Sequence, residues 1–179
     1  KRLYALADLT AAEELGVLKL RRQNYPDLTG RGVLLGIADT GIDYTHPVFR
    51  FGDGSSRIVA IWDQTGEWEE GSRVPFGKFY EQSEINEALK SDNPIEIVSV
   101  TDEIGHGTFM AGLAAGNAEE EEGFSGIAPN AEILVVKLRQ ADACLKKFGY
   151  VDEQTPAYTE EDLVAATDFM IAYGIQREQ

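Results

Sequence analysis

The chain has 179 residues and a formal net charge of −15 at pH 7, from 31 acidic against 16 basic side chains. A surface that negative repels phosphate backbones and anionic headgroups, which argues against nucleic-acid and membrane-surface binding. There is no apolar run of about 18 residues to form a transmembrane helix, and the single Cys144 leaves no intrachain disulfide and no thiolate metal cluster.

Lys1-Arg2-Leu3-Tyr4-Ala5 carries charge without a sustained apolar core, so it does not read as a signal peptide. Residues 1–24 read as a helical lead-in. Thr10-Ala11-Ala12-Glu13 forms a capping box ahead of Ala12, Leu15 and Leu18. Asn24-Tyr25-Pro26-Asp27 and Gly30-Arg31-Gly32 read as turn and loop. Val33 to Ala38 is a short apolar run bounded by glycine, the signature of a strand buried on both faces. Arg57 to Trp62 and Ala131 to Val136 read as two more strands. Helices are expected near Ser83 to Lys90, from Gly107 to Gly116, and from Thr159 onward. In the last, Thr159 and Asp162 repeat the capping pattern, and Leu163, Ala166, Phe169, Met170 and Tyr173 make an apolar stripe suited to core packing. Glu119 to Glu122 reads as a solvated loop, and Arg139 to Tyr158 as a polar surface excursion. Strands alternating with helices predict an α/β fold, a parallel sheet flanked by helices in three layers.

In such sheets chemistry gathers at the carboxyl ends of strands. The first strand runs into Asp39-Thr40-Gly41-Ile42-Asp43, which sets a carboxylate at such an end. Gly105-His106-Gly107-Thr108-Phe109-Met110-Ala111-Gly112 sets a histidine among small residues at a helix start. The partial positive charge of a helix N-terminus disfavours the imidazolium, and a neutral imidazole is what a general base requires. Alone, the Asp turn reads as structural and the histidine as a packed or capping residue. Together, Asp39 could fix the tautomer of His106 and support the cation formed in reaction.

Val33 to Asp43 resembles the aspartate motif of the subtilases, the subtilisin-like serine proteases. His106-Gly107-Thr108 with Ala111-Gly112 resembles their histidine motif, and Gly126-Ile127-Ala128-Pro129 resembles the segment before their next strand. The order Asp, His, then Ser further on is the subtilisin order. Within the family, Asp43 to Pro47, Arg57 to Thr65 and Glu87 to Pro94 resemble the clostridial germination-protease group.

The resemblance implies that Asp39 orients His106, which takes the serine proton and returns it to the leaving amine. It implies a structural His46. The interval from Asp39 to His106 is longer than in the simplest members, which implies an insertion within residues 66–100. Phe109 stands where many members carry a second histidine. No Gly-Thr-Ser motif is present. Only Ser125, in Gly123-Phe124-Ser125-Gly126, has a suggestive setting, and it lacks the closing glycine of a nucleophile elbow.

The chain is therefore expected to be the N-terminal portion of a peptidase domain, inactive alone, with the serine and oxyanion-hole Asn supplied beyond Gln179. The strand leading to Asp39 would then lack a neighbour, so the isolated segment is expected to be poorly stable or self-associating. Expected partners are a protein or peptide substrate and the remainder of the catalytic domain. Calcium is left open, because family members bind it in loops but no complete oxygen-ligand set is legible here. No other cofactor is expected. The setting stays open, with secretion or spore association suggested by the family alone. Two other readings remain: a pseudoprotease retained as a binding or signalling module, and a small-ligand domain using Asp39 and Asp43.

Overall fold

The computed structural model describes residues 16, 19, 28–117 and 125–177. The capping box at Thr10 to Glu13, the Asn24 to Asp27 turn and the Glu119 to Glu122 run lie outside the described residues, as does the 1–24 lead-in apart from Gly16 and Lys19.

All three expected strands form: β1 (Leu34–Asp39), β2 (Ile58–Asp63) and β4 (Glu132–Lys137). The expected helices form as α1 (Gln82–Ala88), α2 (His106–Ala115) and α4 (Glu160–Arg177). The sequence did not disclose β3 (Lys78–Glu81) or α3 (Ala143–Phe148), the latter within the expected surface excursion. The sheet order is β1-β4-β2-β3, with β4 parallel to both β1 and β2. β3 corrects the expectation of a purely parallel sheet. It follows β2 directly and folds back beside it, which makes the pair antiparallel. Its four residues, ending in charge on both sides, are too few to show alternation.

Side-chain alternation along the strands splits the core into two layers. Leu35, Ile37, Ile61, Ile133 and Val135 pack with Ile85 and Ala88 of α1 and Ala111 and Ala115 of α2. On the opposite face Leu34, Ala60, Trp62, Leu134 and Val136 meet Ala166, Phe169 and Met170 of α4. The result is helix, sheet, helix. The expected stripe on α4 holds except at Leu163, which is 43% exposed. Asp162 is buried in its place. It accepts from the Thr159 hydroxyl at 2.9 Å, pairs with Arg139 at 2.9 Å, and its carbonyl accepts from the Gln64 amide at 3.0 Å.

β1 departs from the expectation of burial on both faces. β2 is buried throughout and β4 nearly so, but Gly36 and Ala38 of β1 are exposed. Among the described residues β1 pairs on one side only, with β4. Residues 66–100 are well integrated: Ile85, Ala88, Val98 and Val100 enter the core. The Tyr44 hydroxyl donates to the Val98 carbonyl at 2.9 Å, and burial, with Asp43 and Tyr80 nearby, pushes its pKa up to about 12.

At the amino end of the sheet, Arg57 is 1% exposed and has carbonyls rather than a carboxylate around it. Its guanidinium donates to Ala131 at 3.0 Å, to Val48 at 2.8 Å, and to the carbonyls of Pro129 and Ala115. Ala115 is the last residue of α2, so a cation sits where the helix dipole is negative. Burial lowers the Arg57 pKa to about 10, still far enough above neutrality to keep the charge.

Candidate active site

Parallel pairing brings the carboxyl ends of β1, β4 and β2 to one edge, with Asp39, Lys137 and Asp63 in register. Asp39 is the last residue of β1 and His106 the first of α2. The two are brought together: His106 Nδ1 lies 2.8 Å from Asp39 Oδ1 and 3.0 Å from Oδ2. A carboxylate only accepts, so Nδ1 carries a proton, and in the neutral ring Nε2 is then the nitrogen with the free lone pair. Nε2 has no hydrogen-bond partner among the described residues. The His106 side chain is 59% exposed and that of Asp39 only 17%. The carboxylate is thus held from behind while the imidazole faces outward.

The corner depends on a close approach of backbones. A Cβ on Gly107 would run into the Gly41 carbonyl oxygen, and one on Gly41 into the Thr101 carbonyl oxygen. Gly41 also has φ +138°, a region side chains avoid. Glycine at both positions lets α2 start against the turn after β1.

Asp102, which the sequence reading passed over, organises this corner. Its Oδ1 accepts from the Thr40 hydroxyl at 2.6 Å and from Gly105 N–H at 2.9 Å. Its Oδ2 accepts from Thr108 N–H at 2.8 Å and from the Thr108 hydroxyl at 2.7 Å. Thr40 in turn accepts from Gly107 N–H at 2.9 Å, and its own N–H donates to Asp39 at 2.7 Å. These bonds satisfy first-turn amides of α2 that a helix leaves unpaired. Burial opposes ionisation of Asp102, but the donors from Thr108, Thr40 and Gly105 outweigh it and hold its pKa below the ordinary value. An Asp shortly before a helix start is a capping signal, and this one was legible beside His106. The loop carrying it is tied down by buried Lys137, 3.3 Å from Glu103.

The other sequence candidates fall elsewhere. His46 caps the short 3-10 helix Pro47–Phe49, its Nδ1 accepting from Val48 N–H at 3.3 Å, which is a structural role. The Asp43 carboxylate accepts from the backbone and hydroxyl of Thr45 at 3.0 and 2.6 Å, closing a local turn. Ser125 adjoins Gly126, which packs on Gly112, Ala115 and Gly116 at the far end of α2 from His106. Cys144 is exposed and unpaired. Ile104, Leu138, Pro156 and Tyr158 wall a cavity of about 440 Å³ whose lining includes Asp39 and His106.

The family model described as the Subtilase family matches residues 30–158. A subtilisin-like protease of Arabidopsis thaliana, SBT2.2, is 32% identical over 141 residues, 69% of this chain and 16% of that protein. An intracellular serine protease of Paenibacillus polymyxa is 32% identical over 109 residues, 61% of this chain and 24% of that protein. The solved structure of the Clostridium perfringens CspB protease superposes with a TM-score of 0.74 at 29% identity, over 94% of this chain and 31% of that one. The chain spans less than a third of each of these relatives.

Proposed function

This chain belongs to the subtilase family, and from that premise we propose that it supplies the Asp and His of an Asp-His-Ser triad to a serine endopeptidase. The observation that carries the reading is the contact of His106 Nδ1 with both carboxylate oxygens of Asp39, at 2.8 and 3.0 Å. Nε2 of His106 takes the proton from a serine hydroxyl as its oxygen attacks the scissile carbonyl. Asp39 stabilises the imidazolium that forms, and that proton then goes to the leaving amine, which departs from an acyl-enzyme. Water, deprotonated by the same Nε2, hydrolyses the ester and restores the serine. The substrate class is protein or peptide. The serine and the remaining substrate groove come from the rest of the catalytic domain, so residues 1–179 alone are inert. A secreted or spore-associated setting is part of the same proposal.

A fluorophosphonate probe tests this, since it reacts only with an activated serine. The full-length protein should label, its His106→Ala variant should not, and the 179-residue chain alone should not. A full-length wild-type protein that stays unlabelled overturns the protease reading in favour of a binding module. Labelling of the short chain would mean it contains its own nucleophile.

A further inference from the structure

The loop that delivers His106 to Asp39, residues 101–105, is bonded on two sides. Asp102 ties it to Thr40 and to the first turn of α2. The residues flanking Asp102 bond to β4 instead. Lys137 Nζ lies 3.4 and 3.3 Å from the two carboxylate oxygens of Glu103 and 3.4 Å from the Thr101 hydroxyl, which itself donates to Glu103 at 2.5 Å. Lys137 ends β4 in register with Asp39, the end of β1, and by alternation both continue the layer of Ile37 and Val135 that packs on α2. The next residue, Leu138, donates its N–H to the Asp39 carbonyl at 2.8 Å. One strand end thus fixes the Asp39 backbone and, through Lys137, the loop that ends at His106.

The pair is unequal in its burial. The Lys137 side chain is 9% exposed and that of Glu103 69%. The Thr101 hydroxyl, the amide of Glu103 and then Lys137 hold the Glu103 carboxyl below its ordinary pKa, so it is an anion at neutral pH. An ion pair with one partner in water contributes little to stability, and a buried ammonium carries a desolvation cost that an apolar side chain of similar size does not. What the charge supplies is position, since it holds two side chains of the loop at once. We propose that Lys137 is a positioning residue for the reaction, acting through Glu103, Thr101 and the 101–105 loop to fix the His106 ring against Asp39. It touches neither substrate nor the reacting atoms. The inference rests on the protease reading for what His106 does, while the placement of the ring is a property of the folded chain.

The test uses the full-length protein with Lys137→Met, which keeps an unbranched stem and removes the charge. Steady-state cleavage of fluorescein-labelled casein peptides should show kcat roughly tenfold lower, with KM changed far less. The thermal midpoint should hold or rise, and the His106 Nδ1–H proton signal in NMR should shift or broaden. Glu103→Gln, a change at an exposed side chain, should move kcat and the signal the same way by less. Lys137→Arg, which restores a cation, should recover most of kcat. Unchanged kcat and an unchanged Nδ1–H signal in Lys137→Met overturn the inference. So does a kcat loss that Lys137→Arg does not recover, or one that comes with a clear fall in the midpoint while Glu103→Gln is silent, because Lys137 is then merely structural. A raised KM with kcat intact overturns it too, by placing Lys137 in substrate binding. If the wild-type protein does not cleave casein, the protease reading fails, and the Nδ1–H signal of wild type against Lys137→Met decides the positioning alone.

Discussion

The two ends of α2 are held by opposite means. At the amino end a carboxylate, Asp102, accepts four hydrogen bonds from the loop and the first turn, and the histidine beside it stays open to solvent. At the carboxyl end a guanidinium, Arg57, gathers four carbonyls and is almost wholly buried. Each charge complements the helix dipole at its own end. The difference is in what the burial serves. The Arg57 end exchanges exposure for stability, and the Asp102 end gives up burial so that one ring nitrogen can reach a reactant. Stability and chemistry should therefore separate along a single helix of ten residues.

The largest expected effect belongs to the open end. His106→Ala in the full-length protein should lower kcat/KM by roughly 10⁴ to 10⁶, while thermal unfolding changes little because the ring is mostly exposed. A large loss of stability in this variant would break the separation. Next is Arg57→Met at the closed end. It leaves the carbonyls of Val48, Ala115, Pro129 and Ala131 without their buried donor and should destabilise by about 3 kcal/mol or more in denaturant titration. The molecules that remain folded should keep the His106–Asp39 pair, seen by NMR as an unchanged His106 Nδ1–H proton signal. Asp102→Asn comes third. Its amide nitrogen meets N–H or O–H donors on either side, so about 1–3 kcal/mol of stability should go. Because Thr40 and Gly107 also lose their anchor, kcat should fall about tenfold. A stability loss with kcat intact would confine Asp102 to capping.

How far each end could be read in advance follows the same division. Asp39 and His106 were legible because glycines and a strand end mark them, and the structure brings them together. α4 was legible from Thr159, Asp162 and the spacing of Ala166, Phe169 and Met170. Arg57 read simply as the start of a strand, because its four acceptors come from Val48, Ala115, Pro129 and Ala131, which only the fold assembles. Among the described residues β1 has one neighbour, β4, which agrees with the expected unpaired side of the strand leading to Asp39, but its apolar run alone does not distinguish burial on both faces from exposure of alternate residues. Small residues, Gly36 and Ala38, were the available hint. β3 and α3 were too short for periodicity to show.

The smallest effect is the one that compares the two ends directly. The folded pKa of Asp102 lies below its ordinary value. Such a group stabilises the fold fully above the ordinary carboxylate range, and the contribution is lost as pH falls through the folded value. Arg57, with its pKa near 10, keeps its charge across that whole range. Mild acid should therefore loosen α2 from its amino end first. Amide exchange, corrected for the intrinsic rate at each pH, should show Gly105 and Thr108 losing protection while Gly116 and Ala128, bonded to the carbonyls of Gly112 and Ala114, keep theirs. In Asp102→Asn the amino-end amides should be weakly protected at every pH, with no acid step. Simultaneous loss at both ends would mean that α2 opens as one unit and that its two charges do not act separately.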